Sequence, residues 1–206
     1  MIRLSFDSAA NFGNDLITAE QLIRLGARPP IVSTLCNLSR KLAIRIYKNI
    51  HQHAPKQGML PYDTSWIVRS TANNIHASIF LGIRHDLLLL SSPADLSTCT
   101  FITAYQLYGR VIAKTPPAHN KTYQDGSQSI PLDINRAWFL SRQLDTSDIQ
   151  FKTCYRCQAR YLGIKNLPTP FYQCPICDVW TDRSGRRRWI TVKSQMTNLK
   201  TNKTFG

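Results

Sequence analysis

Acidic side chains are scarce in this chain. Against 26 lysines and arginines its 206 residues carry only 12 aspartates and glutamates, and Glu20 is the sole glutamate. The resulting charge of +14 implies a polyanionic partner, nucleic acid or an acidic membrane surface, with a plain solubility effect as the bland alternative. Long hydrophobic runs are missing too. The most apolar stretch, IFLGIRHDLLLL, is cut by Arg84, His85 and Asp86 and falls short of the ~20 residues that cross a bilayer, so no membrane span is expected. The opening MIRLSFDSAANFGND has neither the apolar core nor the cleavage pattern of a secretory signal, which makes a cytoplasmic protein the expectation.

Catalytic constellations are equally thin. There is no glycine-rich phosphate loop, and the five histidines, at 51, 53, 76, 85 and 119, have no metal spacing and no nucleophile partner. His76 lies among apolar residues and reads as a hydrogen-bonded packing residue. His85 and Asp86 are helix neighbours that point in different directions and read as surface decoration. Asp145 and Asp148 form no obvious pair. No enzyme is expected.

What is present is a globular composition, 43% hydrophobic and 10% aromatic, in a length that accommodates one ordinary domain plus a small module. Helical spacing dominates and strand-type alternation is scarce. Leu35, Leu38, Leu42, Ile46 and Ile50 recur at steps of three or four and predict one helical face. A first helix is expected from Asp15 to a stop at Gly26, another opening at Pro29, and a third capped by Ser39. HAPKQGMLPYD (53–63) reads as a connector. Beyond it one long helix or two should start near Thr64, and another at Pro93 with Phe101, Ala104, Tyr105, Tyr108 and Ile112 on one face. TPPAHNKTYQDGSQ (115–128) reads as loop and Leu132–Leu144 as the final helix. The expected fold is therefore mainly α, a multi-helix body over 1–150, a four-cysteine module over 151–180 and a flexible basic tail over 181–206.

Cys154, Cys157, Cys174 and Cys177 form two C-x-x-C pairs separated by sixteen residues, the spacing of a structural zinc site. Two residues between paired cysteines let both sulfurs reach one ion, and two such knuckles complete a tetrahedron. Redox dithiols or incidental thiols are the alternatives. Four thiolates close the coordination shell, which disfavours a catalytic zinc, and the H-x-E and P-C-x-x-C elements of zinc deaminases are absent. Cys36 and Cys99 are expected to be buried core thiols.

The positive charge is concentrated towards the C-terminus. From Phe151 onwards 11 basic residues face only Asp178 and Asp182, a surplus of nine. Arg156, Arg160, Arg183, Arg186, Arg187 and Arg188 are candidates for phosphate contact, with a solvated basic tail as the alternative. A second cluster, Arg40, Lys41, Arg45 and Lys48, lies on the helix capped by Ser39. The layout ARPPIVSTLCNLSRKLAIRIYKNI looks like helix-turn-helix, although core packing with a solvated basic face would produce the same pattern.

The stretch PKQGMLPYDTSWIVRSTANNIHASIF, with its G-M-L-P connector and N-x-H-x-S helix, resembles the flagellar master transcriptional regulator, FlhC subunit family. The similarity extends through LITAEQLIRLGARPPIVSTLCNLSRKLAIRIYKNI, AYQLY, NRAW and the four cysteines, from about Leu16 to Cys177. It implies a mostly helical DNA-binding activator subunit that joins an FlhD-type subunit in a hetero-oligomer and acts with RNA polymerase on flagellar promoters. It also implies one structural Zn2+ on Cys154, Cys157, Cys174 and Cys177, and contact with double-stranded DNA through the zinc region and its basic surround. The rival readings are an RNA-binding zinc ribbon and a protein-adaptor zinc ribbon.

Overall fold

The computed structural model describes residues 4–90, 98–114, 131–167 and 174–179. The elements run α1 (Leu4–Arg24), α2 (Pro29–Leu35), α3 (Arg40–His51), α4 (Trp66–Arg69), α5 (Thr71–Leu90), α6 (Thr98–Ala113), α7 (Ile134–Asp145), β1 (Ile149–Thr153), β2 (Arg160–Ile164) and α8 (Pro175–Val179). The protein is thus mostly helical, as the spacing predicts, with a two-stranded antiparallel sheet that the weak alternation of IQFKT and RYLGI did not announce. Pro93, the loop at 115–128 and the tail at 181–206 lie outside the described residues.

Helix α1 starts eleven residues before the predicted Asp15. The extra length, LSFDSAANFGN, is too polar to carry an apolar stripe, so periodicity could not find it. The predicted exit holds. Gly26 adopts φ +93, and the N–H groups of Gly26 and Ala27 return to the carbonyls of Ile23 and Leu22. Pro29 opens α2, and Ser39 caps α3 by accepting a hydrogen bond from the Leu42 N–H at 3.3 Å.

The stripe predicted across Leu35 to Ile50 needs correction. Leu35 ends α2 and Leu38 lies in the turn, where Asn37 takes φ +48 and breaks the helical register. Within α3 the fully inward residues are Ala43 and Tyr47, while Leu42, Ile46 and Ile50 are partly buried beside them.

The stretch from Thr64 divides into two helices, with extended Ser70 separating α4 from α5. The core is centred where α5 meets α6. Phe80 stands edge-on to Phe101, Tyr105 and Tyr108 at centroid separations of 5.9, 6.1 and 6.1 Å, and the whole predicted α6 face is buried. The Tyr105 hydroxyl donates to the Leu132 carbonyl at 3.1 Å, and the Tyr108 hydroxyl meets His76 Nδ1 at 3.1 Å, the packing role expected for that histidine. Arg84, buried on α5, forms two 2.9 Å bonds to the Asp145 carboxylate at the end of α7. Strand β1 follows α7 directly and pairs with β2 in the register Ile149↔Ile164, Phe151↔Leu162 and Thr153↔Arg160. The predicted last helix is therefore α7, and a further short one, α8, lies beyond the sheet.

Candidate metal centre and its supporting helix

Each cysteine pair is shaped by its own backbone. Cys154 leaves β1, its N–H donating to the Ala159 carbonyl at 3.0 Å and its carbonyl accepting from the Gln158 N–H at 2.9 Å. Gln158 reaches this position with φ +60, so the chain reverses tightly around Cys157. On the other side Cys174 immediately precedes α8, whose Pro175 has no N–H to leave unpaired at a helix start. The turn carries Cys177 back so that its N–H donates to Cys174 Sγ at 3.3 Å.

The four sulfurs lie within 4.8 Å of one another. Across the two pairs Cys154 and Cys177 are 4.0 Å apart and Cys157 and Cys174 3.4 Å apart. A tetrahedron with metal–sulfur bonds of about 2.3 Å has edges of about 3.8 Å, so the cluster fits one ion bound by four thiolates. Charge among the thiols is uneven. Burial works against ionisation at Cys154, but N–H groups of Cys157 and Arg156 and the neighbouring thiols outweigh it and bring this thiol down to about 6. Burial pushes Cys174 and Cys177 up. Ionisation is thus easier at Cys154 than at Cys174 or Cys177.

Helix α5 holds this module in place. Asn74, with no exposed surface, donates through Nδ2 to the carbonyls of Leu162 (2.8 Å) and Ile67 (3.2 Å). Its Oδ1 accepts from the Leu162 N–H at 3.2 Å and from Ser78 Oγ at 3.1 Å, and Ser78 Oγ also accepts from Leu162 N–H at 3.2 Å. Thr71 Oγ1 donates to Asp178 Oδ2 at 2.7 Å, fixing α8. At the far end Arg160 donates to both Asp86 oxygens, at 3.2 and 3.0 Å, with its guanidinium 5.6 Å above Phe151. The Arg160 bond, then that of His85, holds the Asp86 carboxyl below its ordinary range.

The candidate contact residues are placed as follows. Arg156 is exposed on the first knuckle, and Arg160 is engaged by Asp86. Arg40, Lys41 and Arg45 are exposed on α3 and make no ion pair among the described residues. Helix α3 packs on α1 and α2, whereas the sheet and α8 pack on α5. Arg183, Arg186, Arg187 and Arg188 lie outside the described residues.

Two smaller expectations are corrected. Cys36 is buried, and burial pushes its thiol up to about 12, but Cys99 is exposed. On α6 it sits two residues before Phe101, about 200° around the helix from the buried face. His85 and Asp86 do meet, at 3.3 Å, although both remain exposed. The sequence reading missed Asn74, Ser78 and Arg84 as structural keys. Their signal was a set of polar residues on the inward side of an apolar helix.

Among the described residues no helix is long and apolar enough to cross a membrane. A family model described as "Flagellar transcriptional activator (FlhC)" matches residues 6–191. The Flagellar transcriptional regulator FlhC of Proteus mirabilis is 28% identical over 197 residues, covering 96% of this chain and 95% of the relative. That of Gallionella capsiferriformans is 33% identical over 159 residues, 77% of this chain and 80% of the relative, and that of Xenorhabdus nematophila 30% over 184 residues, 89% and 88%. A match running through the helical body, the connector and all four cysteines makes this chain a member of the FlhC family of flagellar transcriptional regulators.

Proposed function

We propose that this chain is the DNA-binding activator subunit of a flagellar transcription regulator. It works in the cytoplasm as a hetero-oligomer with an FlhD-type subunit and recruits RNA polymerase to promoter DNA. The observation that carries the reading is the convergence of four cysteine sulfurs within 4.8 Å, in a module braced on α5. More than half of the net charge lies on and beyond that module, +9 of the +14.

Zn2+ is the ion that a closed shell of four thiolates suits best, and when bound it supplies folding energy rather than an open coordination position. The residues of the chain do the rest. Cys154, Cys157, Cys174 and Cys177 hold the two knuckles at a fixed angle. Arg156 presents its charge from the first knuckle, and Arg183, Arg186, Arg187 and Arg188 extend the basic surface towards the phosphates of duplex DNA. Arg160, engaged by Asp86, sets the angle at which the module meets the duplex. Arg40, Lys41 and Arg45 offer a second phosphate contact from α3. The body over 1–150 carries the partner subunit and the polymerase contact, the module over 151–180 and the tail over 181–206 the DNA contact.

The test is duplex binding at physiological salt by the full chain, alone and with the FlhD-type subunit, on a flagellar promoter fragment and on a shuffled one. Preference for the promoter fragment in the presence of the partner is expected. Equal binding to both fragments under every condition would overturn the reading, and preference for single-stranded RNA would replace it by the RNA-binding alternative.

A further inference from the structure

The two C-x-x-C pairs share their spacing and differ in what their middle residues do. In the second pair Pro175 is buried and Ile176 half-buried, and both line a cavity of about 390 Å³ together with Ile75 and Ile79 of α5. In the first pair Tyr155 and Arg156 take the same two positions and both are exposed, Tyr155 at 86%. The second knuckle therefore docks the module on the helical body, and the first displays a large ring beside a guanidinium. That ring stands on a held backbone. Gln158, at φ +60, donates from its N–H to the Cys154 carbonyl at 2.9 Å and from Nε2 to the Tyr155 carbonyl at 3.1 Å.

A single exposed ring calls for no partner by itself. Its setting supplies the second observation. The stretch 151–167 carries Lys152, Arg156, Arg160 and Lys165 and no acidic residue, and Asp86 of α5 answers Arg160 alone. Lys152 is laid across the ribbon by the bare backbone of Gly163 on the opposite strand, where a Cβ would stand 2.5 Å from Lys152 Cε. Cations interleaved with an exposed aromatic ring suit a nucleic acid, whereas lysine is depleted at protein interfaces.

We propose that Tyr155 is a specificity-determining residue of the first knuckle, its ring packing on a thymine methyl group in the major groove while Arg156 meets a neighbouring phosphate. The proposal rests on the DNA-binding reading above. Base edges in an intact duplex present hydrogen-bonding groups and one apolar group, the C5-methyl of thymine. An exposed ring gains from that methyl and nothing from a phosphate. Tyr155 therefore acts on the choice of base, and the cations around it act on affinity for any sequence.

The experiment measures binding of the full chain, together with the FlhD-type subunit, to the flagellar promoter fragment, to the same fragment with uracil in place of thymine, and to the shuffled fragment. Tyr155→Ser and Tyr155→Phe are compared with the unchanged chain, with a salt titration and a thermal melt of each. Position 155 is exposed, so the melts should coincide. Uracil should weaken binding of the unchanged chain at least threefold, the order expected for losing one buried methyl group. Tyr155→Ser should weaken binding to the thymine fragment by a similar factor, shrink the uracil effect and leave the salt slope unchanged, while Tyr155→Phe, which keeps the ring, should behave as the unchanged chain. An equal uracil effect in Tyr155→Ser and the unchanged chain would overturn the proposal, as would an equal loss in Tyr155→Phe, which would assign the contact to the hydroxyl. A flattened salt slope in Tyr155→Ser, or lost affinity for the subunit with duplex binding intact, would also overturn it, and each would leave the DNA-binding reading standing. Absence of promoter preference in the unchanged chain would overturn both.

Discussion

Asn74 has no accessible surface and still satisfies both of its side-chain functions, because α5 brings it against the backbone of Leu162. Its removal would leave the Leu162 and Ile67 carbonyls short of a donor in a buried setting, a penalty of about 1–3 kcal/mol per unsatisfied group. Asn74→Ala should therefore lower the unfolding free energy by about 3 kcal/mol in urea titration. A loss below about 1 kcal/mol would mean that the sheet is held to α5 by other contacts. The two cysteines outside the metal centre differ in the same local way. Cys36 is buried with its thiol pushed up to about 12, while Cys99 is exposed. At pH 8 a maleimide should label Cys99 and spare Cys36 in the folded, metal-loaded chain, as mass spectrometry of the digest would show. The linkage has a definite sign. The folded thiol of Cys36 ionises above its unfolded value of about 8.5, so its contribution is complete below that pH and is lost as pH rises towards about 12.

At the scale of elements, the small sheet and α8 have little core of their own. Helix α8 is five residues long, and an isolated two-stranded hairpin is marginal in water. What binds them is the cysteine cluster on one side and α5 on the other. Chelation of the metal should therefore speed amide hydrogen exchange across Ile149–Ile164 and leave the α6 amides from Phe101 to Tyr108 protected. Loss of protection in α6 as well would show that the metal stabilises the whole chain and not the module alone. The legibility of these elements in the sequence follows the same division. Gly26, Pro29, Ser39 and the four cysteines act through local rules of backbone and spacing, and each was readable. The α6 stripe was readable because five inward residues repeat with helical period. The N-terminal half of α1 was not, because it is too polar to carry an apolar stripe, and neither were the strands, whose placement is decided by residues far away in the chain. Asn74 and Leu162, 88 positions apart, are the clearest instance.

At the scale of the whole molecule the governing quantity is charge. Under the DNA-binding function proposed above, the arginines beyond the four-cysteine module should set the salt dependence of binding more than its specificity. Replacement of Arg186, Arg187 and Arg188 by alanine should flatten the slope of log affinity against log salt by up to about 2.7, three contacts at about 0.9 each. An unchanged slope would remove these arginines from the interface. Arg40→Ala and Arg45→Ala, in the second phosphate contact proposed on α3, should flatten the slope further, and a salt titration of the combined variant would expose any coupling.

The bond between Asn74 and Leu162 has a further consequence. In a two-stranded ribbon each strand keeps an outer row of amides able to recruit another chain, the usual starting point of edge-to-edge aggregation. At Leu162 both outward groups, N–H and carbonyl, are already taken by the carboxamide of Asn74, which fills the place of a third strand. The ribbon is thereby closed to strand addition at its buried midpoint, and its most adhesive edge stays out of reach.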